Sequence, residues 1–128
     1  DLNREKFKSD NLLSILENPE SNAHKNLKYL KYAMDVRSKL KQFHPCSEMK
    51  CLSKGRSDIV AIKRGIGKKS IFAIHNMTEN KINYQLNDED LPALQDDAFN
   101  MQDLLTNNKY NWKNISLEPF QVIWLGTL

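Results

Sequence analysis

DIVAIKRGIGKKSIFAIHN, residues 58–76, is the stretch that decides the fold of this 128-residue chain. Apolar side chains recur with a period of two on both sides of a glycine-bearing turn at residues 64–69, a pattern that predicts two antiparallel strands joined as a hairpin. Gly65 and Gly67 supply the backbone freedom that such a turn needs. Both strands carry β-branched or aromatic residues on both faces, so we expect each face of the hairpin to be covered.

Downstream of the hairpin the period of two continues, which predicts further strands. Ile82, Tyr84 and Leu86 alternate cleanly with polar residues. The acidic stretch 87–97 contains a proline and predicts an exposed, solvated loop. Other predicted strands are a weak one at 48–53, before the hairpin, and three more at 100–105, 111–115 and 120–125. The sequence therefore predicts an antiparallel all-β sandwich over residues 46–128.

Upstream of the hairpin the period is that of a helix. Apolar residues between Ser9 and Pro19 predict a short amphipathic helix, and a longer one is expected to begin between residues 18 and 22 and to continue to Pro45. Pro45 ends the second helix because proline disfavours helical geometry in the residue before it. We therefore predict an α+β chain with two N-terminal helices in residues 1–45 and the β domain in residues 46–128.

Charge and hydropathy exclude two classes of partner. The 19 basic and 16 acidic residues are interspersed, which argues against a nucleic-acid-binding face. No apolar run approaches the roughly 18 residues of a membrane span, and no signal peptide opens the chain, so we expect no membrane partner and a cytoplasmic protein. Because the chain begins with Asp1 rather than Met, we expect it to be a piece of a longer polypeptide.

No motif in the sequence predicts a metal or a cofactor. His44, Cys46 and Cys51 lack the paired Cys-x2-Cys knuckle and a fourth ligand, so reduced thiols are expected, with a local disulfide as the alternative. The Gly65-Ile66-Gly67 pair lacks the third glycine of a dinucleotide fingerprint.

The two tryptophans are the candidate sugar-stacking residues. Trp124 lies in the apolar run 122–125 and is predicted to be core. Trp112 lies between Asn111 and Lys113, and two interpretations stay open for it: a core residue, or an exposed platform on which a sugar ring stacks.

Several of these segments, taken together, resemble the C-terminal region of the sucrose phosphorylase group in the α-amylase superfamily, glycoside hydrolase family 13. The segments occur in the order of that family and cover nearly the whole chain, and the closing Pro-Phe-Gln-Val followed by Trp-Leu is the most specific. The matching segments are residues 1–4, 36–45, 61–64, 71–78, 103–105 and 117–125.

The resemblance implies a layout and a parent activity. Residues 1–45 would be the last loop and helices of a (β/α)8 barrel, followed by the all-β domain that supports it. Such enzymes form a covalent glucosyl-enzyme at a carboxylate and pass glucose to phosphate. Those catalytic carboxylates lie upstream, so no catalytic residue is expected here. The resemblance makes Arg4 the sugar-contacting residue, and it makes the catalytic barrel, a sucrose-like glucoside and phosphate the partners of the full-length enzyme.

Two further expectations concern the chain by itself. Cut from its barrel, the long helix would expose its apolar face, so we expect it to pack on the β domain or to pair with a second copy as a homodimer. The alternative function, of a different class, is a stand-alone carbohydrate-binding module that uses Trp112 and nearby asparagines.

Overall fold

A computed structural model describes residues 8–91 and 100–126 of the chain. It contains two compact units, residues 1–37 and residues 38–128. Within the described residues no helix is both long enough and apolar enough to cross a membrane.

The first unit contains two helices, as the sequence predicts. Helix α1 spans Ser9–Glu17 and α2 spans Asn22–Ser38. Ser21 caps α2, because its hydroxyl accepts a hydrogen bond from the backbone N–H of His24 at 3.0 Å. The same hydroxyl donates to the Ile15 carbonyl at 2.6 Å and so ties the start of α2 to the end of α1.

Neither helix contains a buried residue. Apolar side chains that are 40–60% exposed lie along both helices: Leu12, Leu13 and Ile15 in α1, and Tyr29, Leu30, Tyr32 and Met34 in α2. The expectation that the long helix packs on the β domain or on a second copy stays a prediction.

Helix α2 ends earlier than predicted. It stops at Ser38, Leu40 is extended, and a single 3-10 turn follows at Lys41–Phe43. The guanidinium of Arg64 donates to the carbonyls of Gln42 at 3.0 Å and His44 at 2.6 Å. These carbonyls are bound by a long-range partner, so the segment does not need to remain helical before Pro45.

The second unit is built from two antiparallel sheets. The strands are β1 Met49–Cys51, β2 Ile59–Arg64, β3 Ile71–Asn76, β4 Ile82–Tyr84, β5 Asn100–Asp103, β6 Lys109–Asn111, β7 Ile115–Leu117 and β8 Val122–Gly126. A six-stranded sheet has the order β1-β2-β3-β8-β5-β6, and a two-stranded sheet pairs β4 with β7. The prediction of an antiparallel two-sheet domain is confirmed.

The predicted hairpin forms the centre of the larger sheet. Ile59 faces Asn76 and Arg64 faces Ile71, so the β2–β3 register is uninterrupted over six residue pairs. Strand β8 then pairs along the other edge of β3, with Ile74 opposite Ile123. The turn passes through Gly65 and Gly67, both at positive φ, as the sequence predicts.

One hydrophobic core lies between the two sheets. Side chains from the inner face of β2, β3 and β8 pack with those of the two-stranded sheet. Its buried members are Leu52, Ile59, Ala61, Phe72, Ile74, Tyr84, Leu86, Met101, Trp112, Ile115, Leu117, Ile123 and Leu125. The opposite face of the large sheet is only partly covered: Ile62, Val122 and Trp124 are half-buried there.

Two other sequence predictions are wrong. The single strand expected at 111–115 is instead a turn between β6 and β7, because the side chain of Asn111 accepts the Lys113 N–H at 2.9 Å and its carbonyl accepts the Asn114 N–H at 3.0 Å. The acidic loop is not wholly solvated either. Asp90 is 1% exposed and lies in a 3-10 turn at Asp88–Asp90, whereas residues 92–99 of that loop lie outside the described residues.

Candidate functional site

Arg4, the sugar contact implied by the resemblance, lies outside the described residues. Its role therefore stays a prediction.

Trp112 is a core residue. Its side chain is 7% exposed and belongs to the cluster between the sheets, while its carbonyl accepts the Leu86 N–H at 3.1 Å. The Lys113 ammonium lies 5.0 Å from the ring centroid. A sugar-stacking platform needs an open ring face. Of the two interpretations the sequence left open for this ring, the observed burial favours the core.

Trp124 is on the other face of the sheet from the core. Because Ile123 and Leu125 point inward, the period of two turns Trp124 outward, where it is half-buried. The ring of Phe43 packs against it, with centroids 4.8 Å apart and planes at 51°. The prediction that Trp124 joins the core is therefore wrong: its ring packs against the last residue of the 3-10 turn at Lys41–Phe43.

A polar groove lies beside Trp112, on the side of the small sheet. It has a volume of about 380 Å³, and it is lined by Arg56, Asn83, Tyr84, Gln85, Lys113 and Asn114. These residues come from three separate segments of the chain. The β4–β7 pairing brings residues 83–85 close to residues 113–114, and Arg56 lies over the Tyr84 ring. The sequence indicates Lys113 and the nearby asparagines as neighbours of Trp112, and the alternation at 82–86 predicts that Asn83 and Gln85 are exposed, but nothing in the sequence predicts that the two segments meet.

The cations of this groove are already engaged. The guanidinium of Arg56 binds the carboxylate of Asp58 through two hydrogen bonds, at 2.8 and 2.5 Å, and lies 5.7 Å from the centroid of the Tyr84 ring. The hydrogen bonds from Arg56 hold the pKa of Asp58 below its ordinary value, so this pair is ionised at neutral pH. The Tyr84 hydroxyl donates to the Leu52 carbonyl at 3.2 Å, and burial raises its pKa.

Asp90 is held by cations instead of facing a ligand. Lys50 donates to its carboxylate and Lys63 donates to its carbonyl at 2.6 Å. Burial raises the pKa of Asp90, but the hydrogen bonds from Lys50 and Asn87 outweigh burial and hold the pKa below its ordinary value. This carboxyl group pins its 3-10 turn to the sheet edge.

The other buried polar side chains on the large sheet are also used by the fold. Asn76, 2% exposed, makes four hydrogen bonds to the loops around it, and Asp103 accepts from Leu105, Thr106 and Trp124. His75 is half-buried, its Nε2 has no hydrogen-bond partner among the described residues, and burial lowers its pKa. None of these groups faces a second acid or base across a cleft in the described structure.

Metal ligands do not converge in the described residues. No group of three or more His, Cys, Asp or Glu side chains could hold an ion there. Cys46 and Cys51 are exposed and free, so the alternative of a local disulfide is not formed.

Comparisons with known proteins give a structural likeness only. No protein-family model matches the sequence, and no curated protein matches it. The trehalose-6-phosphate hydrolase of Bacillus licheniformis matches with a TM-score of 0.62 at 16% identity, over 88% of this chain and 19% of that one. AmyP in complex with maltose matches with a TM-score of 0.65 at 17% identity, over 82% and 21%. An Anoxybacillus α-amylase matches with a TM-score of 0.64 at 16% identity, over 87% and 24%.

The chain has the fold of one part of these enzymes. It spans about a fifth of the length of the structures it matches. At these identities the likeness establishes the arrangement of two helices followed by antiparallel sheets, as the resemblance in sequence implied, and not an activity.

Proposed function

We propose that this chain is the non-catalytic C-terminal part of an α-amylase-superfamily enzyme, and that its β domain packs on a catalytic (β/α)8 barrel and supports it. The observation that carries the proposal is the match of nearly the whole chain to about a fifth of several such enzymes. The order of elements, two helices and then two antiparallel sheets, agrees with the order that the sequence resemblance implies.

The helices of the first unit supply the second argument. Large apolar side chains on a surface often mark the place where a partner binds, and seven such side chains of α1 and α2 are 40–60% exposed. In the proposed parent, these two helices close the barrel and their apolar side chains pack against its strands and neighbouring helices. Burial at roughly 25 cal/mol per Å² would then add several kcal/mol to the stability of the full-length enzyme.

The finer proposal concerns the parent reaction. On the sequence resemblance, the parent is a sucrose phosphorylase-like retaining enzyme of the cytoplasm, with a covalent glucosyl intermediate and phosphate as the acceptor. Arg4 would contact the glucosyl unit, because the planar guanidinium can donate to two sugar oxygens at once. No step of catalysis is assigned to the 128 residues of this chain.

The test compares this chain with the polypeptide encoded by its complete reading frame. Both are purified and given sucrose and phosphate, and the release of glucose 1-phosphate is followed. The full-length protein should release glucose 1-phosphate from sucrose and phosphate, whereas the isolated chain should release none. Arg4→Lys in the full-length protein should raise KM for the glucoside, because lysine loses the bidentate fork.

Two results would overturn the proposal. One is phosphorolysis by the isolated chain. The other is a reading frame that lacks an upstream barrel with facing Asp and Glu residues.

The isolated chain should also associate with itself, because the apolar side chains of α1 and α2 have no barrel to cover them. Sedimentation should show a homodimer that dissociates on dilution, and Leu30→Glu, in the exposed middle of α2, should give a monomer. Lys28→Glu is the control, because it adds a carboxylate to the same helix without removing an apolar side chain. A monomeric wild-type chain would contradict the assignment of these helices as a docking surface.

A further inference from the structure

We propose that the polar groove lined by Arg56, Asn83, Tyr84, Gln85, Lys113 and Asn114 is an accessory binding site for a neutral carbohydrate, which holds sugar hydroxyls through the side-chain amides. The groove belongs entirely to the β domain, and its geometry does not depend on the function proposed for the parent enzyme. Only the choice of an α-glucoside as the probe rests on that function.

Three primary amides converge on the groove. Asn83 and Gln85 are one residue apart on either side of Tyr84, so the period of two turns both of their side chains away from the core, and Asn114 follows Lys113 on the facing turn. All three residues are exposed, and their side chains make no hydrogen bond to any described residue. The groove thus offers three groups that are each free to donate and to accept.

Such a set matches the hydroxyls of a sugar. An amide presents two N–H donors and a carbonyl acceptor, and neighbouring hydroxyls of a pyranose both donate and accept. About 380 Å³ lies within the usual range of small-ligand sites, roughly 300–1,000 Å³. The floor is firm, because the Tyr84 side chain is fixed by its hydrogen bond to Leu52 and by the core around it.

Charge does not by itself determine the ligand. Arg56 is paired with the carboxylate of Asp58 through two hydrogen bonds, and the ammonium of Lys113 lies 5.0 Å from the centroid of the Trp112 ring. Among the described residues, no carboxylate lines the groove. The amides are therefore the groups left to determine what binds.

The site can be tested on the intact 128-residue chain by NMR titration with maltotriose, since its size of 14.9 kDa suits resolved amide spectra. The side-chain NH2 signals of Asn83, Gln85 and Asn114 should shift together and saturate with one dissociation constant. Asn83→Ala and Asn114→Ala should each weaken binding by about 2- to 10-fold, the loss expected for one neutral hydrogen bond. Asn108→Ala, an exposed asparagine outside the groove, should leave the affinity unchanged.

Three outcomes would overturn the proposal. They are the absence of saturable shifts, shifts that are unaffected by either groove variant, and binding of glucose 1-phosphate alone that disappears at high salt, which would make the groove an anion site. Spectra of the free variants show whether they are folded. If the titration shows no binding, the proposal about the parent enzyme is not affected. If the reading frame encodes no barrel, the titration result does not change, so the two proposals can fail independently.

Discussion

Asn76 should be the polar side chain on which the β domain depends most. Its amide nitrogen donates to the carbonyls of Asn80 at 2.7 Å and Glu118 at 2.9 Å, and its oxygen accepts from the N–H and the hydroxyl of Thr78, both at 2.9 Å. The side chain is 2% exposed. It therefore joins the end of β3 to the loop after it and to the loop before β8, and Asn76→Asp is the sharpest change because it keeps the shape and removes both donors.

The cost of Asn76→Asp can be worked from these contacts. Two donated hydrogen bonds, at about 0.5–1.5 kcal/mol each, are lost, and a carboxylate then lies against two carbonyl oxygens. An unpaired buried charge is so unfavourable that the carboxyl group protonates instead, and its folded-state pKa rises above its unfolded value near 3.9. The destabilisation should be about 1–2 kcal/mol at a pH well below the unfolded pKa, where the acid is neutral in both states. It should grow with rising pH to roughly 3 kcal/mol or more at pH 7.

The assay is urea unfolding followed by tryptophan fluorescence, since both tryptophans lie in the β domain. With a slope of about 1–3 kcal/mol per M, the expected loss at pH 7 lowers the midpoint by roughly 1–3 M. Asn108→Asp makes the same chemical change at an exposed side chain and should shift stability by no more than about 0.5 kcal/mol. Equal shifts for the two variants, or a loss for Asn76→Asp that does not depend on pH, would refute the reasoning.

Two further predictions concern stability and use the same urea assay. Asp90→Asn should cost about 1 kcal/mol at pH 7, a value kept low by the solvent that screens its half-exposed lysine partner. Because the folded pKa of Asp90 is lowered, this stabilisation is present above the unfolded pKa and is lost as pH falls through the folded pKa. The variant should therefore converge with the wild type in acid, whereas Glu89→Gln, in an exposed ion pair, should change little at any pH. Gly55→Ala and Gly65→Ala both force alanine to a φ of +82°, at a cost of about 1 kcal/mol each, but only at Gly65 would the new Cβ lie 2.9 Å from Gln42 Cγ. Gly65→Ala should therefore be the more destabilising of the two. Equal losses of stability would show that the contact with Gln42 is relieved without cost and would contradict the prediction.

The central hairpin could be predicted from the sequence because its local signals agree. The period of two, the β-branched residues and the two glycines all favour the same pairing, and the observed register from Ile59–Asn76 to Arg64–Ile71 has no bulge. The end of α2 could not be predicted in this way. The apolar spacing continues past Leu40, but the carbonyls of the next turn are bound by Arg64, which is twenty or more residues away in sequence. A long-range partner decides where that helix stops.

The candidate site shows the same division. From the sequence, the burial of each tryptophan could be predicted only from the residues next to it. In the folded domain, the register of the strand determines which face of the sheet each side chain lies on. Once Ile123 and Leu125 face the core, Trp124 must point outward. Trp112 follows β6 in a turn whose backbone is bound to Leu86, and its ring fills the core beside β4 and β7.

The polar groove lies next to the turn that carries the buried Trp112. With the ring turned inward, the exposed residues of the same turn, Lys113 and Asn114, are left facing Asn83 and Gln85 across the small sheet. The sequence separation of some thirty residues hides that proximity until β4 and β7 are paired. Carbohydrate recognition by this domain is thus expected from amides at the edge of the core, and the buried Trp112 ring holds the turn that carries one of them in place.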